Sequence, residues 1–191
     1  MIFYENALRM RFPHDEIYRI HQHLDTYIQE HAGIKTPYSF KIVPGFASDS
    51  AILLRTVQPL NLPGERKHEI LLKKEDVVQF STTLAVMQRE MTGNRRRQIT
   101  PPPERLKEYI SNRLVQAGFS VTSLVVGEPE NVIIKKRGRP ILIPSTVLCA
   151  TCAIRSVEEA EKALVYGVGR KRIFGFGFLT PFTVNTADES Y

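Results

Sequence analysis

Tyr18 and His21 stand three residues apart in the run DEIYRIHQHL, Asp15–Leu24. An unperturbed imidazole titrates at about 6.5, so a histidine can take or give a proton at neutral pH. On a helix a tyrosine three residues earlier lies on the same side. A His–Tyr pair at the margin of a buried face is therefore an arrangement capable of proton transfer. The plainer alternative is a half-buried histidine bonded to backbone. His21 and His23 are two apart and do not face one another on a helix, which argues against a metal pair. Cys149 and Cys152 form C-A-T-C, but zinc needs two further ligands and the chain has no second C-x-x-C. They are expected to be core cysteines. No metal and no cofactor are expected.

The second candidate is GVGRKRIFGFG, Gly167–Gly177. A dinucleotide fingerprint needs G-x-G-x-x-G after a strand and before a helix. Here the expected order is helix then strand, and Arg172 takes the place of the third glycine. The P-loop pattern is absent as well, so nucleotide-cofactor binding is not supported. What remains is a backbone that can approach a ligand closely, with N–H groups forming an anion-binding nest and Arg170, Lys171 and Arg172 adding charge. The alternative is a helix cap followed by a glycine-kinked strand.

The chain has 191 residues, a net charge of +6 and a pI of about 9.4. Ten of its 26 basic residues fall in three clusters: Arg95-Arg96-Arg97, Lys135-Lys136-Arg137 with Arg139, and Arg170-Lys171-Arg172. One such cluster reads as a solvated loop, but three in one small chain favour a polyanionic partner. At 42% hydrophobic and 24% charged, the composition is that of a globular protein with a real core. No apolar run approaches the roughly 20 residues of a membrane helix, and MIFYENALRMRF lacks signal-peptide character. A cytoplasmic location, without a membrane partner, is the expectation.

These residues need elements to position them. Residues 2–12 read as a strand. Ile17, Ile20, Leu24 and Ile28 make one helical face that Gly33 should end. Strands follow over Tyr38–Val43, Ala51–Val57 and His68–Lys73. Val78, Phe80, Thr82, Leu84 and Val86 alternate as a half-buried strand. Met91–Pro103, rich in Gly and Pro, reads as the linker between two halves. Then come a helix over Glu104–Ala117, a strand over Phe119–Val126, a hairpin about KKRGR, and a strand over Val147–Ile154. A capping box at Ser156 opens a helix that Gly167 closes, and Phe174–Leu179 is the last strand. The order predicts an α+β chain of two tandem ferredoxin-like (RRM-like) domains, residues 1–92 and 93–191. The first carries the Tyr18/His21 helix; the second carries the basic hairpin and the glycine-rich loop.

The glycine loop, G-x-G-x-x-x-x-x-G-x-G with all four glycines in place, resembles that of the CRISPR-associated RAMP superfamily. DEIYRIHQHL is similar to the corresponding helix of the CasE branch of the Cas-six endoribonucleases. RRRQIT…RLKEYISNRLVQAGF is similar to the start of their second domain. The resemblance implies a metal-independent endoribonuclease that cleaves CRISPR precursor RNA within the repeat hairpin. The 2′-hydroxyl would attack the phosphate and leave a 2′,3′-cyclic phosphate. It implies catalysis by His21 and Tyr18. The repeat stem-loop would be held by Arg95, Arg96, Arg97, Lys135, Lys136, Arg137, Arg139, Arg170, Lys171 and Arg172, with the backbone at Gly167, Gly169, Gly175 and Gly177. It also implies retention of the mature crRNA and partnership with other Cas subunits of an effector complex. The competing expectation is a scaffold subunit that binds crRNA without cutting it, stacking bases on Phe174, Phe176 and Phe178 along a strand.

Overall fold

The computed structural model describes residues 1–33, 36–44, 50–92, 95–136 and 138–185. In chain order it begins with strand β1 (Ile2–Met10), helix α1 (Ile17–Ala32), and strands β2 (Tyr38–Pro44), β3 (Ser50–Thr56) and β4 (Arg66–Glu69). These strands form an antiparallel sheet in the order β2-β3-β1-β4. The helix forms because its apolar stripe has somewhere to go: Ile20, Leu24 and Ile28 are buried against Met10, Phe40, Ile52 and Leu54. Gly33, at φ 66°, ends it in the left-handed conformation as expected. The βαβββ order with this strand arrangement is a ferredoxin-like unit whose second helix is replaced by the connection after β3.

The next elements are β5 (Val77–Ala85), β6 (Gln88–Thr92), β7 (Arg95–Ile99), α2 (Pro103–Gln116), β8 (Phe119–Val126), β9 (Glu130–Lys136), β10 (Arg139–Ile154), α3 (Val157–Tyr166) and β11 (Phe182–Asn185). A single 3-10 turn, Arg172–Phe174, lies between α3 and β11. The second sheet runs β11-β5-β10-β8, with β9 paired to the first half of β10. This is the same spatial order as the first sheet and a complete βαββαβ unit. Leu106, Ile110 and Leu114 of α2 and Ala160 and Ala163 of α3 pack on Val78, Phe80, Leu84, Leu148, Ala150, Cys152 and Ile154. The expected tandem ferredoxin-like architecture is therefore present.

Several local expectations change. The division between the sheets does not fall at 92/93. Strand β5 pairs with β10 and β11, so the second unit begins by Val77. Alternation identifies the strand, but it names a buried face and not the sheet that supplies it. Met91–Pro103 is not an open linker: β6 and β7 pair in a two-stranded sheet with Thr92 opposite Arg95. Gly93 and Asn94, between these strands, lie outside the described residues. The fourth strand is Arg66–Glu69, earlier than expected, and the strand expected over Val147–Ile154 is the second half of a 16-residue strand, Arg139–Ile154, that starts at the KKRGR hairpin. Cys149 is exposed and only Cys152 is buried. Phe174–Leu179 is not a strand. Phe174, Phe176 and Phe178 are all buried, so they offer no open stacking platform.

The two units are pinned together. Phe3 of β1 packs on Leu164 and Val165 of α3, and the Ser39 hydroxyl donates to the Val165 carbonyl at 2.5 Å. Arg55 of β3 is 5% exposed. Its Nε donates to Glu5 at 2.9 Å, and Nη1 donates to the carbonyls of Leu164 at 3.1 Å and Leu179 at 2.8 Å. Its guanidinium lies 4.2 Å from the Phe178 ring centroid. Burial lowers the Arg55 pKa, against the opposing pull of Glu5.

Candidate functional site

The helix that carries His21 presents it at the margin of the apolar stripe, as its position beside Ile20 and Leu24 dictates. Its side chain is 14% exposed. The ring meets Phe174 edge-on, with centroids 6.0 Å apart. Tyr18, one turn earlier, also touches Phe174, at 6.5 Å between centroids. Lys136 of β9 places its Nζ 5.6 Å from the Tyr18 ring centroid, within cation–π range. Arg172 lines a cleft of about 770 Å³ together with His21, Asp25, Tyr38 and Tyr166. Three segments remote in sequence thus meet at one place: α1, the basic hairpin β9–β10, and the glycine-rich loop.

Two residues of this site were missed by sequence reasoning. The Tyr38 hydroxyl lies 3.1 Å from His21 Nδ1 and donates to Asp25 Oδ1 at 2.7 Å. His21 Nε2 is 3.7 Å from Asp25 Oδ2. Burial, reinforced by Asp25, pushes the Tyr38 phenol well above the usual tyrosine range, so it stays protonated. Asp25 was legible as the i+4 neighbour of His21. Tyr38 was not, because only the reversal after Gly33 brings the first residue of β2 back beside α1.

The glycine loop is a folded object in its own right. All four glycines have positive φ. Val168 N–H donates to the Gly177 carbonyl at 2.8 Å, and Gly177 N–H to the Thr83 carbonyl at 2.8 Å. A Cβ on Gly177 would lie 1.9 Å from the Val168 carbonyl oxygen, so no other residue fits there. The N–H groups of Gly167, Gly175 and Gly177 are bonded to the carbonyls of Ala163, Arg172 and Thr83. The expected anion nest is corrected accordingly: these three N–H groups hold the loop closed. The loop's charge is carried by side chains. Arg172 Nη1 donates to the carbonyls of Tyr166 and Gly167, each at 3.3 Å, at the C-terminus of α3. The Arg170 backbone bridges to Ala85, and Lys171 sits at φ 61°.

The remaining predicted residues divide. Lys135 lines a second cleft of about 540 Å³ with His14, Lys41 and Phe174. Arg139 stands opposite Lys136 across the hairpin and is exposed. Arg137, and the tail beyond Asn185, lie outside the described residues. Arg95, Arg96 and Arg97 are on β7, apart from both main sheets, and their side chains lie outside the described residues. Among the described residues, no helix is long and apolar enough to cross a membrane.

No family model and no curated protein matches the sequence. Solved structures do match. Thermus thermophilus Cse3 bound to an RNA representing a pre-cleavage complex superposes with a TM-score of 0.70, covering 97% of this chain and 99% of that one at 12% identity. Cas6e from Escherichia coli K-12 gives 0.68, covering 96% and 98% at 12% identity. A chain of a CRISPR RNA-guided surveillance complex gives 0.64, covering 95% and 98% at 14% identity. At these identities the likeness shows the fold: nearly the whole chain takes the tandem arrangement of those structures.

Proposed function

We propose that this chain is an endoribonuclease that cuts CRISPR precursor RNA within the repeat hairpin. The observation that carries the reading is the meeting of His21, Tyr18, Lys136 and Arg172 from three separate elements. It occurs on a fold shared with CRISPR endoribonucleases solved with RNA. In this reading the 2′-hydroxyl loses its proton and its oxygen bonds to the adjacent phosphorus, while the bond to the 5′-oxygen breaks and that oxygen gains a proton. His21 moves one of these protons. Lys136 and Arg172 supply positive charge where the phosphorane forms. Tyr18 seats Lys136 beside the reacting phosphate.

The exposed Lys135, Lys136 and Arg139 on the hairpin suit the backbone of a double-stranded stem, which proteins read mainly by shape and phosphate contacts. Arg170, Lys171 and Arg172 hold the strand near the cut, and Arg95, Arg96, Arg97 and Arg137 are assigned to the RNA on their charge in the sequence alone. The glycines contribute by shaping the loop. The product stays bound and joins other Cas subunits, as supported by the likeness to a surveillance-complex chain. The test is product-end chemistry on a labelled repeat hairpin. A 2′,3′-cyclic phosphate on the upstream fragment and a 5′-hydroxyl on the downstream one are expected. A 5′-phosphate would overturn the reading.

A further inference from the structure

We infer that Tyr38 and Asp25 are positioning residues that hold His21 in the Nδ1–H tautomer and leave Nε2 as the nitrogen that gains and loses the proton. This rests on the reading of His21 as the proton-transfer residue, but its structural part stands on the hydrogen-bond chain alone. A phenol has one proton to give. The Tyr38 hydroxyl gives it to Asp25 Oδ1 at 2.7 Å, the shorter and charge-assisted contact. Its oxygen can then only accept from His21 Nδ1, 3.1 Å away. The tautomer is thus assigned from the network, with Nδ1 carrying the proton in neutral imidazole. Asp25 Oδ2, 3.7 Å from Nε2, then stabilises the imidazolium that forms when Nε2 takes a proton. Because burial and Asp25 raise the Tyr38 pKa, the phenol keeps the proton that it donates to Asp25.

The experiment is nitrogen-15 NMR of the His21 side chain, run beside single-turnover cleavage of a repeat hairpin RNA. Wild type is expected to show Nδ1–H at neutral imidazole. Tyr38→Phe is expected to lose that signature and slow cleavage about tenfold or more, with RNA Kd unchanged. Asp25→Ala is the sharper variant. Without its acceptor, the Tyr38 hydroxyl turns to donate to Nδ1, and the tautomer inverts to Nε2–H. Asp25 is 44% exposed, so this change does not open the core. Nε2–H in the wild type, or the wild-type tautomer in both variants, would overturn the assignment. A correct tautomer response in a protein that cuts no RNA would sink the nuclease reading and leave the hydrogen-bond assignment standing. A correct response with both variants cutting at the wild-type rate would overturn the positioning role.

Discussion

Gly177→Ala should be among the most damaging single-methyl changes in the glycine loop. The added Cβ would sit 1.9 Å from the Val168 oxygen, 2.7 Å from its nitrogen and 2.8 Å from its carbonyl carbon. All three are backbone atoms, so the loop must open. Opening it breaks the Val168 N–H to Gly177 bond and strains the Gly177 N–H to Thr83 bond, both 2.8 Å. Two backbone hydrogen bonds contribute about 1 kcal/mol each. A non-glycine residue in the left-handed region costs about 1–2 kcal/mol more. The total is about 3–4 kcal/mol. Gly169→Ala is the internal control: it also has φ 81°, but its added Cβ would meet only Leu84 Cδ2, at an ordinary 3.5 Å. It should cost only the conformational term, about 1–2 kcal/mol. Urea unfolding of the two variants should therefore differ by about 2 kcal/mol. Equal stability of Gly177→Ala and Gly169→Ala would refute the claim that a closed backbone crossing dictates the loop.

Other consequences are as direct. Arg55→Ala leaves Glu5 and two buried carbonyls without their donor and should cost about 3 kcal/mol of stability by the same urea assay. Of the two cysteines, exposed Cys149 should react with a thiol reagent in the native protein at pH 8. Cys152, whose thiol burial pushes up to about 11, should react only on unfolding. Equal rates would contradict the assigned faces of β10. Lys135→Ala and Lys136→Ala should each reduce the salt slope of hairpin-RNA binding by about one phosphate contact. Unchanged slopes would take the hairpin off the RNA.

Faces were readable from the sequence wherever periodicity alone decides them. The Ile20/Leu24/Ile28 stripe and the alternation of Val78, Phe80, Leu84 and Val86 are buried as their spacing implies. Partner choice was not readable. Nothing local to β5 says that it pairs with β10, more than fifty residues on, so a boundary expected at 92/93 falls after the strand that opens the second unit. The phenylalanines of the glycine loop kept a strand's spacing, yet the intervening glycines adopt positive φ and fold them inward from a turn. His21 was visible as a candidate through residue type and place on the helix. The two groups that orient it became visible only unequally, Asp25 by helical spacing and Tyr38 by tertiary packing.

The most direct test of the central claim is a cleavage assay in EDTA with wild type and His21→Ala on a labelled hairpin repeat RNA, with a 2′-deoxy control at the cut site. Wild-type cutting is expected to persist in EDTA and to vanish in the deoxy control. His21→Ala should cut about 10²- to 10⁴-fold more slowly, with RNA affinity retained. Tight binding by a wild type that cuts nothing would contradict it.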